Sequence, residues 1–369
     1  MTQVDTRDGT APPTAQQTSQ RTTHAGPEHL VLSEHPIFRR FWYAVCFATE
    51  VTDTPLQRTL LGQDVVVWRP SADAPVSVAH DRCAHRDAPL SLGWVKDCHL
   101  VCPYHGWEWD AEGRTQRIPQ YPAAPHPTRS GLSMVSSVER YGLVWVCLAT
   151  EAEGGPIAGI PEVPEYGAPG WRVVPEKTWQ FECTAMHLVE NNVDPGHVAF
   201  VHKGTFGNPD NAELGEQTVT RTPTGLRSAA VVPVEARPGE TGSTVRTTSS
   251  DVHLPFSMHL HITYPDGLQH VMVKAITPVD DTRCVILQTV LRTDTEADRP
   301  AADILAFDDV VEGEDAWLLN RLPDRYPLAP YLNAHAKADK ASLLLRRLYT
   351  ELVTGRWLPG GGVVAEVEA

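Results

Sequence analysis

Two short stretches, CAHRDAPL (residues 83–90) and CPYHGWEW (residues 102–109), decide how the first half of this chain is interpreted. Each stretch offers one thiolate and one imidazole, and a [2Fe–2S] cluster with two cysteine and two histidine ligands requires such a set. The Cys-x-His and Cys-x-x-His spacings suit two neighbouring loops that each lend one ligand to each iron. Gly106 permits the close backbone turn that a cluster pocket needs. The four candidate ligands are Cys83, His85, Cys102 and His105.

Zinc is the main alternative for this ligand set, because four Cys and His side chains suit a tetrahedral zinc site. The usual zinc pattern pairs Cys with Cys and His with His, whereas each pair here is mixed. Coincidence among 7 Cys and 16 His is the weakest interpretation, since Gly and Trp also flank the second pair. Cys98 lies between the pairs without a histidine at matching spacing, and we interpret it as a packing residue.

A second motif, ENNVDPGHVAFVH (residues 190–202), places an aspartate close to two histidines. Proline is disfavoured inside a helix, so the motif predicts a helix that ends near Asn192, a kink, and a short second helix with Asp194 as its N-cap. His197 and His202 are about 140° apart on an ideal helix. They converge on one metal only if the helix is bulged or ends between them.

A third ligand is expected from FDDVVEGEDAWLLN (residues 307–320), because two imidazoles and one carboxylate on iron(II) leave positions open for dioxygen. Asp315 is the preferred residue. Asp308 lies seven residues earlier on nearly the same helical face, so periodicity alone does not separate the two, and Asp309 and Glu312 are weaker options.

Asp194 is assigned a different role, as a hydrogen-bond acceptor beside the metal-binding histidines. Such a carboxylate can join a histidine of one metal centre to a histidine of the other and so provide an electron path. Helix capping is the alternative role for Asp194, and the two roles are compatible.

Composition excludes several classes of function. The formal net charge of −15 disfavours nucleic acid as a partner, because an acidic surface repels phosphate. No stretch of the 369 residues approaches the roughly 20 apolar residues that cross a bilayer. The N-terminus lacks the apolar core of a secretion signal, and the odd number of cysteines disfavours a disulfide framework. We therefore expect a cytoplasmic protein without a membrane contact.

The distribution of residue types along the chain predicts its domains and its secondary structure. Residues 1–28 lack large apolar side chains and are expected to form a disordered tail. A first domain of short strands is expected at 29–155, and a Pro/Gly-rich connection leads to a second domain at 156–369. In the second domain we expect one interrupted helix, several antiparallel strands and two further helices, at 182–203, 257–294, 301–322 and 339–353.

The two motifs, in this order, resemble those of the oxygenase (alpha) component of the Rieske non-heme iron oxygenases. Weaker resemblance covers AITPVDDTR (275–283) and ADKASLLLRRLY (338–349). The resemblance implies an α+β fold, with an N-terminal all-β Rieske [2Fe–2S] domain and a helix-grip (START-like) catalytic domain built on a curved antiparallel sheet. It implies that Cys83, His85, Cys102 and His105 hold the cluster, and that His197, His202 and Asp315 hold a mononuclear iron(II).

The resemblance also implies an activity and partners. Electrons would come from NAD(P)H through a ferredoxin and/or a flavin reductase, and O2 would oxidise a small organic substrate by hydroxylation, demethylation or another tailoring reaction. The chain has the length of the shorter, homotrimeric members, in which an acid such as Asp194 bridges neighbouring subunits. The alternative functions are a Rieske electron carrier and a ligand-binding protein that has lost the catalytic iron. Three iron atoms per chain would indicate the oxygenase, and two would indicate an alternative.

Overall fold

The computed structural model describes residues 26–235 and 243–360, except for the side chains of 175, 176, 243 and 244. The expected tail falls mainly on residues 1–25, which lie outside the described residues. Glu28, at the end of the expected tail, accepts backbone hydrogen bonds from the N–H groups of Leu328 and Ala329. Within the described ranges, no helix has the length and apolarity needed to cross a membrane.

The first half of the chain is built from short antiparallel strands, as its β-branched and aromatic runs predict. The sheets are β3-β4-β5, β6-β7-β8-β9 and β10-β11-β2. The strands are β1 (His29–Leu30), β2 (Tyr43–Phe47), β3 (Leu56–Leu60), β4 (Gln63–Trp68), β5 (Ser77–His80), β6 (Trp94–Lys96), β7 (His99–Val101), β8 (Glu108–Trp109), β9 (Thr115–Arg117), β10 (Ser136–Arg140) and β11 (Leu143–Cys147).

The second half contains one antiparallel sheet of seven described strands, in the order β12-β18-β17-β16-β15-β14-β13. This sheet includes the strands expected at 257–294. A further short strand, β19, pairs with β1 near the chain's beginning. The strands are β12 (Arg172–Phe181), β13 (Gln217–Arg221), β14 (Gly225–Glu235), β15 (Ser243–His253), β16 (Ser257–Thr263), β17 (Gln269–Pro278), β18 (Cys284–Arg292) and β19 (Tyr326–Pro327).

Four helices accompany this sheet in the described residues, and they confirm the expected helical segments. The interrupted helix is present as α1 and α2, and their break falls at Pro195, whose ring and missing N–H oppose a continuous helix. Gly355 has φ of +70° just after the last helix, as expected of a C-terminal stop. The helices are α1 (Ala185–Val193), α2 (Val198–Val201), α3 (Ala301–Leu319) and α4 (Lys340–Val353).

Two details of the helix ends differ from the sequence prediction. Asp194 is the C-cap of α1, and His197 takes the N-cap position of α2. The prediction of Asp194 as an N-cap was wrong because the Asp-Pro-Gly turn uses two more residues before the helix begins. Asp339 does sit at the N-cap position of α4, but its carboxylate accepts from the Ala336 N–H, before the helix.

The largest apolar core joins the two halves of the chain. Phe38 from the first half stacks on Phe256 from the second, with 5.8 Å between ring centroids. The Tyr43 hydroxyl donates to the Phe38 carbonyl (2.9 Å), and the Tyr349 hydroxyl donates to the Pro255 carbonyl (2.8 Å). Burying each such aromatic ring contributes about 1.5–3 kcal/mol. This core fixes the position of the seven-stranded sheet relative to the N-terminal strands.

Candidate metal centres

The two Cys-His loops share one backbone design. In each loop the cysteine N–H donates to the carbonyl five residues later, and the N–H four residues later donates back to the cysteine carbonyl. The residue that makes the second bond has left-handed backbone angles in both loops, with φ of 52° at Asp87 and 70° at Gly106. Glycine adopts this conformation readily and aspartate tolerates it. The repeated motif therefore presents two cysteines in equivalent positions.

The four predicted ligands come together at the tips of these loops. Cys83 and Cys102 are buried, whereas the rings of His85 and His105 are half-buried and lie 4.6 Å apart between centroids. Burial, with additional contact from the Cys102 thiol, raises the pKa of the Cys83 thiol to about 11. A bound metal must therefore displace the thiol proton, as metal–thiolate bonds do.

The surroundings of one histidine nitrogen show whether a cluster fits at this site. Nδ1 of His85 is buried and has no hydrogen-bond partner in the described structure. The face of the His85 ring stacks on the Trp107 ring, with 4.5 Å between ring centroids, and this contact holds the orientation of the imidazole. Buried polar atoms rarely remain unpaired, so an unpaired imidazole nitrogen beside two thiols fits a metal ligand. The donor set of two thiols and two imidazoles fits a [2Fe–2S] cluster.

The second candidate centre unites His197, His202 and Asp315. The Nε2 atoms of the two histidines are 3.2 Å apart, and Oδ1 of Asp315 lies 3.8 Å and 3.5 Å from the Nε2 atoms of His197 and His202. A point equidistant from three atoms with these separations is about 2.0 Å from each, which is the length of a metal–imidazole bond. These residues fit one metal ion bound by two imidazoles and one carboxylate.

The short helix α2 produces this convergence. His197 and His202 flank it as N-cap and C-cap, so the helix ends before the second histidine. The sequence required such an interruption between the histidines, because an unbroken helix would direct them about 140° apart. His202 stacks on Phe206, with 4.9 Å between ring centroids, which limits the rotation of its imidazole.

Each imidazole is oriented through its other nitrogen. Nδ1 of His202 lies 3.0 Å from Oε2 of Glu314, and the Thr205 hydroxyl donates to the same oxygen at 2.9 Å. Nδ1 of His197 lies 2.6 Å from the backbone carbonyl of Asp194. Such contacts set which nitrogen faces the metal and raise its basicity. The structure thus gives Glu314 an orienting role that the sequence did not suggest.

Asp194 contacts His197 through its main chain and not through its carboxylate. Oδ1 of Asp194 accepts from the Gly196 N–H at 2.7 Å and stabilises the turn. This contact lies in the turn before α2 begins, so the side chain stabilises the turn and does not cap the helix as considered from the sequence. The carboxylate is half-buried and lines the cavity described below.

The four acids of α3 that were considered as the third ligand have different surroundings. Asp315 faces the histidines, and Asn191 Nδ2 donates to its Oδ1 at 3.0 Å. Asp309 is at the surface, where it contacts Lys177 and accepts from Trp179 Nε1. The remaining two are buried, but neither lies with the histidines: Oδ2 of Asp308 accepts from Gln288, and Oε1 of Glu312 accepts from Lys274.

Burial also sets the charge of nearby groups. Loss of hydration lowers the pKa of His202 to about 4, against the raising effect of Asp315, so its imidazole is neutral at pH 7. Loss of hydration, assisted by the negative charge of Glu312, raises the pKa of Asp308 to about 7. The histidine therefore has a lone pair available for a metal at neutral pH.

A cavity of about 640 Å³ opens beside this second centre. One wall is the catalytic sheet, with side chains from β14 to β18. The other walls are the α1–α2 turn and the inner face of α3. Cavities that hold small organic ligands have volumes of about 300–1,000 Å³ and combine apolar walls with a few polar groups. A small organic molecule can thus lie next to His197, His202 and Asp315.

One cysteine interpretation was wrong. Cys98 is exposed, with φ of 66°, in the turn between β6 and β7. It was expected to be a packing residue, but the tight hairpin turn projects it into solvent.

Two family models match separate parts of the chain. A model described as "Rieske [2Fe-2S] domain" matches residues 41–137, and one described as "Vanillate O-demethylase oxygenase C-terminal domain" matches residues 181–355. The first range contains both Cys-His loops. The second contains the two histidines of the α1–α2 segment and the whole of α3.

Relatives match over nearly the whole chain. Methylxanthine N1-demethylase NdmA of Pseudomonas putida is 31% identical over 335 residues, which cover 88% of this chain and 91% of the relative. Methylxanthine N3-demethylase NdmB of the same species is 30% identical, with coverage of 87% and 91%. The solved structure of Pseudomonas putida CBB5 NdmA superposes with a TM-score of 0.74 at 29% identity, covering 87% of this chain and 92% of that one.

A more distant structure shares the fold alone. Dicamba monooxygenase bound to dicamba has a TM-score of 0.74 at 22% identity, covering 88% of this chain and 98% of that one. The expected α+β architecture, an all-β N-terminal half followed by a helix-and-sheet catalytic half, is therefore confirmed.

Proposed function

Since this chain belongs to the Rieske non-heme iron oxygenases as an oxygenase component, we propose that it acts as a monooxygenase whose substrate occupies the cavity beside α3. The family's cofactors are a [2Fe–2S] cluster and a mononuclear iron(II), and its electrons come from a partner reductase. The observation that supports the proposal best is a two-histidine, one-carboxylate set that opens onto a cavity of about 640 Å³.

In this proposal each predicted ligand keeps its role. The cluster is held by the two thiols and two imidazoles of the Cys-His loops, and the iron(II) by two imidazoles and one carboxylate. When bound, these groups supply single electrons and activate dioxygen for insertion into a substrate bond. The proposed cluster ligands are Cys83, His85, Cys102 and His105. The proposed ligands of the mononuclear iron are His197, His202 and Asp315.

The protein's own contribution is position and access. Glu314 and the Asp194 carbonyl keep each Nε2 directed at one point. Three protein ligands leave the remaining coordination positions for small molecules. Val232 and Leu260 line the apolar part of the cavity, which favours an organic substrate over bulk water. The relatives named as demethylases make oxidative demethylation, alongside hydroxylation, a fitting reaction class for this chain.

The proposal extends to the assembly and its partners. The chain would form a homotrimer in which the Asp194 carboxylate carries electrons between the cluster of one subunit and the iron of the next. The expected partners are a ferredoxin and/or a flavin reductase supplied by NAD(P)H, in the cytoplasm. The proposed extents are a tail at 1–28, a Rieske domain at 29–155 and a catalytic domain at 156–369.

The decisive experiment replaces one histidine of the second centre. His197→Ala should retain the visible absorption of the cluster, lose one of three iron atoms per chain, and lose substrate-dependent oxygen uptake. The matched control is His126→Ala, an exposed histidine of the N-terminal half, which should keep all three properties. Full turnover by His197→Ala would refute the assignment.

The same iron count separates the alternative functions. An electron carrier or a degenerate ligand-binding protein would hold two iron atoms in the wild-type chain, both in the cluster, and would show no oxygen uptake with any substrate. A value of three in anaerobically reconstituted protein, together with electron transfer from a reductase, supports the oxygenase.

A further inference from the structure

A second group of buried charged residues lies in the cavity wall, and metal binding does not use it. On α3, Asp308 and Glu312 are four residues apart, and Asp315 is three residues further, so the three carboxylates share one face of the helix. Asp308 and Glu312 are each 3% exposed, and Lys274 of β17 is 4% exposed. All of them line the same cavity as the candidate iron ligands.

The hydrogen bonds of this group leave an acceptor unsatisfied. Lys274 Nζ donates to Oε1 of Glu312 at 2.7 Å and to Oδ1 of Asn192 at 2.8 Å. Gln288 Nε2 donates to Oδ2 of Asp308 at 3.2 Å. Oε2 of Glu312 is buried and has no partner within the described residues. A carboxylate oxygen that is buried without a donor is costly, so a donor from outside the wall is expected.

The charges of the group are also unbalanced. Two carboxylates face one ammonium, which leaves one excess negative charge when both acids are ionised. Burying an uncompensated charge is strongly unfavourable, and either a proton or a cationic ligand removes the imbalance. A ligand that is both cationic and an N–H donor corrects the charge and satisfies the orphaned oxygen together.

We propose that Asp308, which accepts from Gln288, and Glu312, which accepts from Lys274, form the recognition site for a cationic nitrogen of the substrate, such as a protonated amine or an amidinium. This inference rests on the proposed function, because it assigns a substrate class to the same cavity. Lys274 fixes Glu312 through Oε1 and leaves Oε2 for the substrate. Helix α3 then carries both the substrate-recognition site and a proposed iron ligand, because the next carboxylate on its inward face is Asp315.

The same cavity also carries positive charge, on Arg292 and Arg246. Arg292 Nη1 donates to Nδ1 of His270 at 3.2 Å, and the same guanidinium pairs with Asp294. Arg246 lines the same cavity, with its guanidinium 4.4 Å from the Phe206 ring centroid. A cationic nitrogen is repelled from the arginines and attracted to the α3 acids, so the acid pair is the single site proposed.

The test uses probes that differ only in charge. Three sets are titrated calorimetrically into anaerobic holoenzyme: tryptamine, 3-propylindole and indole-3-propionate; phenethylamine, propylbenzene and 3-phenylpropionate; and benzylamine, ethylbenzene and phenylacetate. In at least one set the amine should bind about tenfold or more tightly than its neutral and anionic counterparts, as one charge-assisted hydrogen bond provides. Preference for the anions, equal binding within every set, or no amine binding in any set would overturn the proposal.

Variants locate the preference on α3. Asp308→Asn keeps the shape of the side chain and breaks no ion pair, and it should weaken amine binding about tenfold while leaving binding of the neutral probe within about twofold. Glu312→Gln should do the same, with a lower melting temperature because Lys274 loses its partner. The matched control is Asp309→Asn, an exposed acid of the same helix, which should bind like the wild type. An unchanged amine preference in Asp308→Asn and Glu312→Gln would refute the site.

The result of this binding test can be distinguished from the result of the test of the proposed function. Iron content and the visible spectrum of the cluster report on the two metal centres and do not require the substrate. If the wild-type chain holds three iron atoms but shows no preference for amines, the oxygenase function stands and the acid-pair site fails. If it holds two, the oxygenase proposal fails whichever probe binds.

Discussion

The two candidate metal centres are assembled in opposite ways. The first takes its four candidate ligands from residues 83–105, in two loops with the same local hydrogen bonds. The second takes its candidate ligands from residues 197 to 315, so it forms only when α3 packs beside the α1–α2 turn. The local centre depends on backbone turns, whereas the distant one depends on the packing of the whole catalytic half.

The surroundings of the two centres differ as well. The His85 ring of the first centre is held by stacking on Trp107, while both histidines of the second centre are held by hydrogen bonds at Nδ1. The Lys274–Glu312 ion pair beside the second centre is buried, whereas the Arg117 side chain of the ion pair beside the first is 50% exposed. We therefore expect the second centre to be more sensitive to changes in residues that touch no metal.

The largest expected effects come from removing one ligand of either centre. Asp315→Ala should leave two iron atoms per chain and an intact cluster spectrum, whereas His85→Ala should lose the cluster spectrum and retain the mononuclear iron. Each variant should lose at least about 10³-fold in turnover, because each electron must pass through one centre to reach the other. Iron analysis and absorption spectroscopy measure both losses. Loss of all iron in both variants would show that the two centres do not form independently.

The next largest effect concerns the buried ion pair beside the second centre. Lys274 and Glu312 have side chains that are 5% and 3% exposed, and their charged atoms are 2.7 Å apart. Lys274→Met should lower the free energy of unfolding by about 3–5 kcal/mol, since it leaves a buried carboxylate without its cation. Chemical denaturation of the purified protein measures this.

A double variant is the control for this prediction. Lys274→Met with Glu312→Met removes both charges and should recover most of the lost stability, because apolar pairs often replace buried ion pairs without cost. A double variant as unstable as the single one would assign the effect to lost packing and not to charge.

A smaller effect is expected when Glu314 loses its charge. Glu314→Gln weakens the acceptor for Nδ1 of His202 and should lower the affinity of the mononuclear site for iron about 10–100-fold, with no change in the cluster spectrum. Competition with a chelator measures the affinity. Asp309→Asn, on the outer face of the same helix, is the control and should keep wild-type affinity. Equal iron affinities in Glu314→Gln and Asp309→Asn would show that Glu314 does not orient His202.

The sequence was informative about the first candidate centre for a physical reason. Cys83, His85, Cys102 and His105 are recognisable because their spacing belongs to two loops whose geometry depends on nearby residues. The break before His197 was predictable as well, since Pro195 prevents a continuous helix through the motif, whereas the end of α2 before His202 was only required by the geometry. In both places the residues that decide the geometry lie within a few positions of the ligands.

The sequence was less informative about α3, because Asp308, Glu312 and Asp315 share one buried face. Helical periodicity places all three on the core side and does not say which one meets the histidines. Which acid meets the histidines depends on how α3 lies along the sheet, and only the tertiary structure shows this placement. Glu314 was missed for the same reason, since its one signal is adjacency to Asp315.

The smallest expected effect concerns an ion pair of the N-terminal half. Arg117 Nη1 lies 2.8 Å from Oε1 of Glu108, on opposed residues of β9 and β8, close to the second Cys-His loop. The Arg117 side chain is 50% exposed, so water and salt screen the pair. Arg117→Ala should change the free energy of unfolding by about 0–1 kcal/mol and leave the cluster spectrum unchanged.

Comparison with Lys274→Met tests whether burial, and not proximity to a metal centre, sets these energies. Both ion pairs are short and each lies near one centre, but only the pair on α3 is buried. Raising the salt concentration should reduce the small effect of Arg117→Ala further and barely change that of Lys274→Met, because buried charges are screened little. A loss of several kcal/mol from Arg117→Ala would mean that the cluster loops also depend on side-chain ion pairs, and the contrast between a locally built centre and a packing-dependent one would fail.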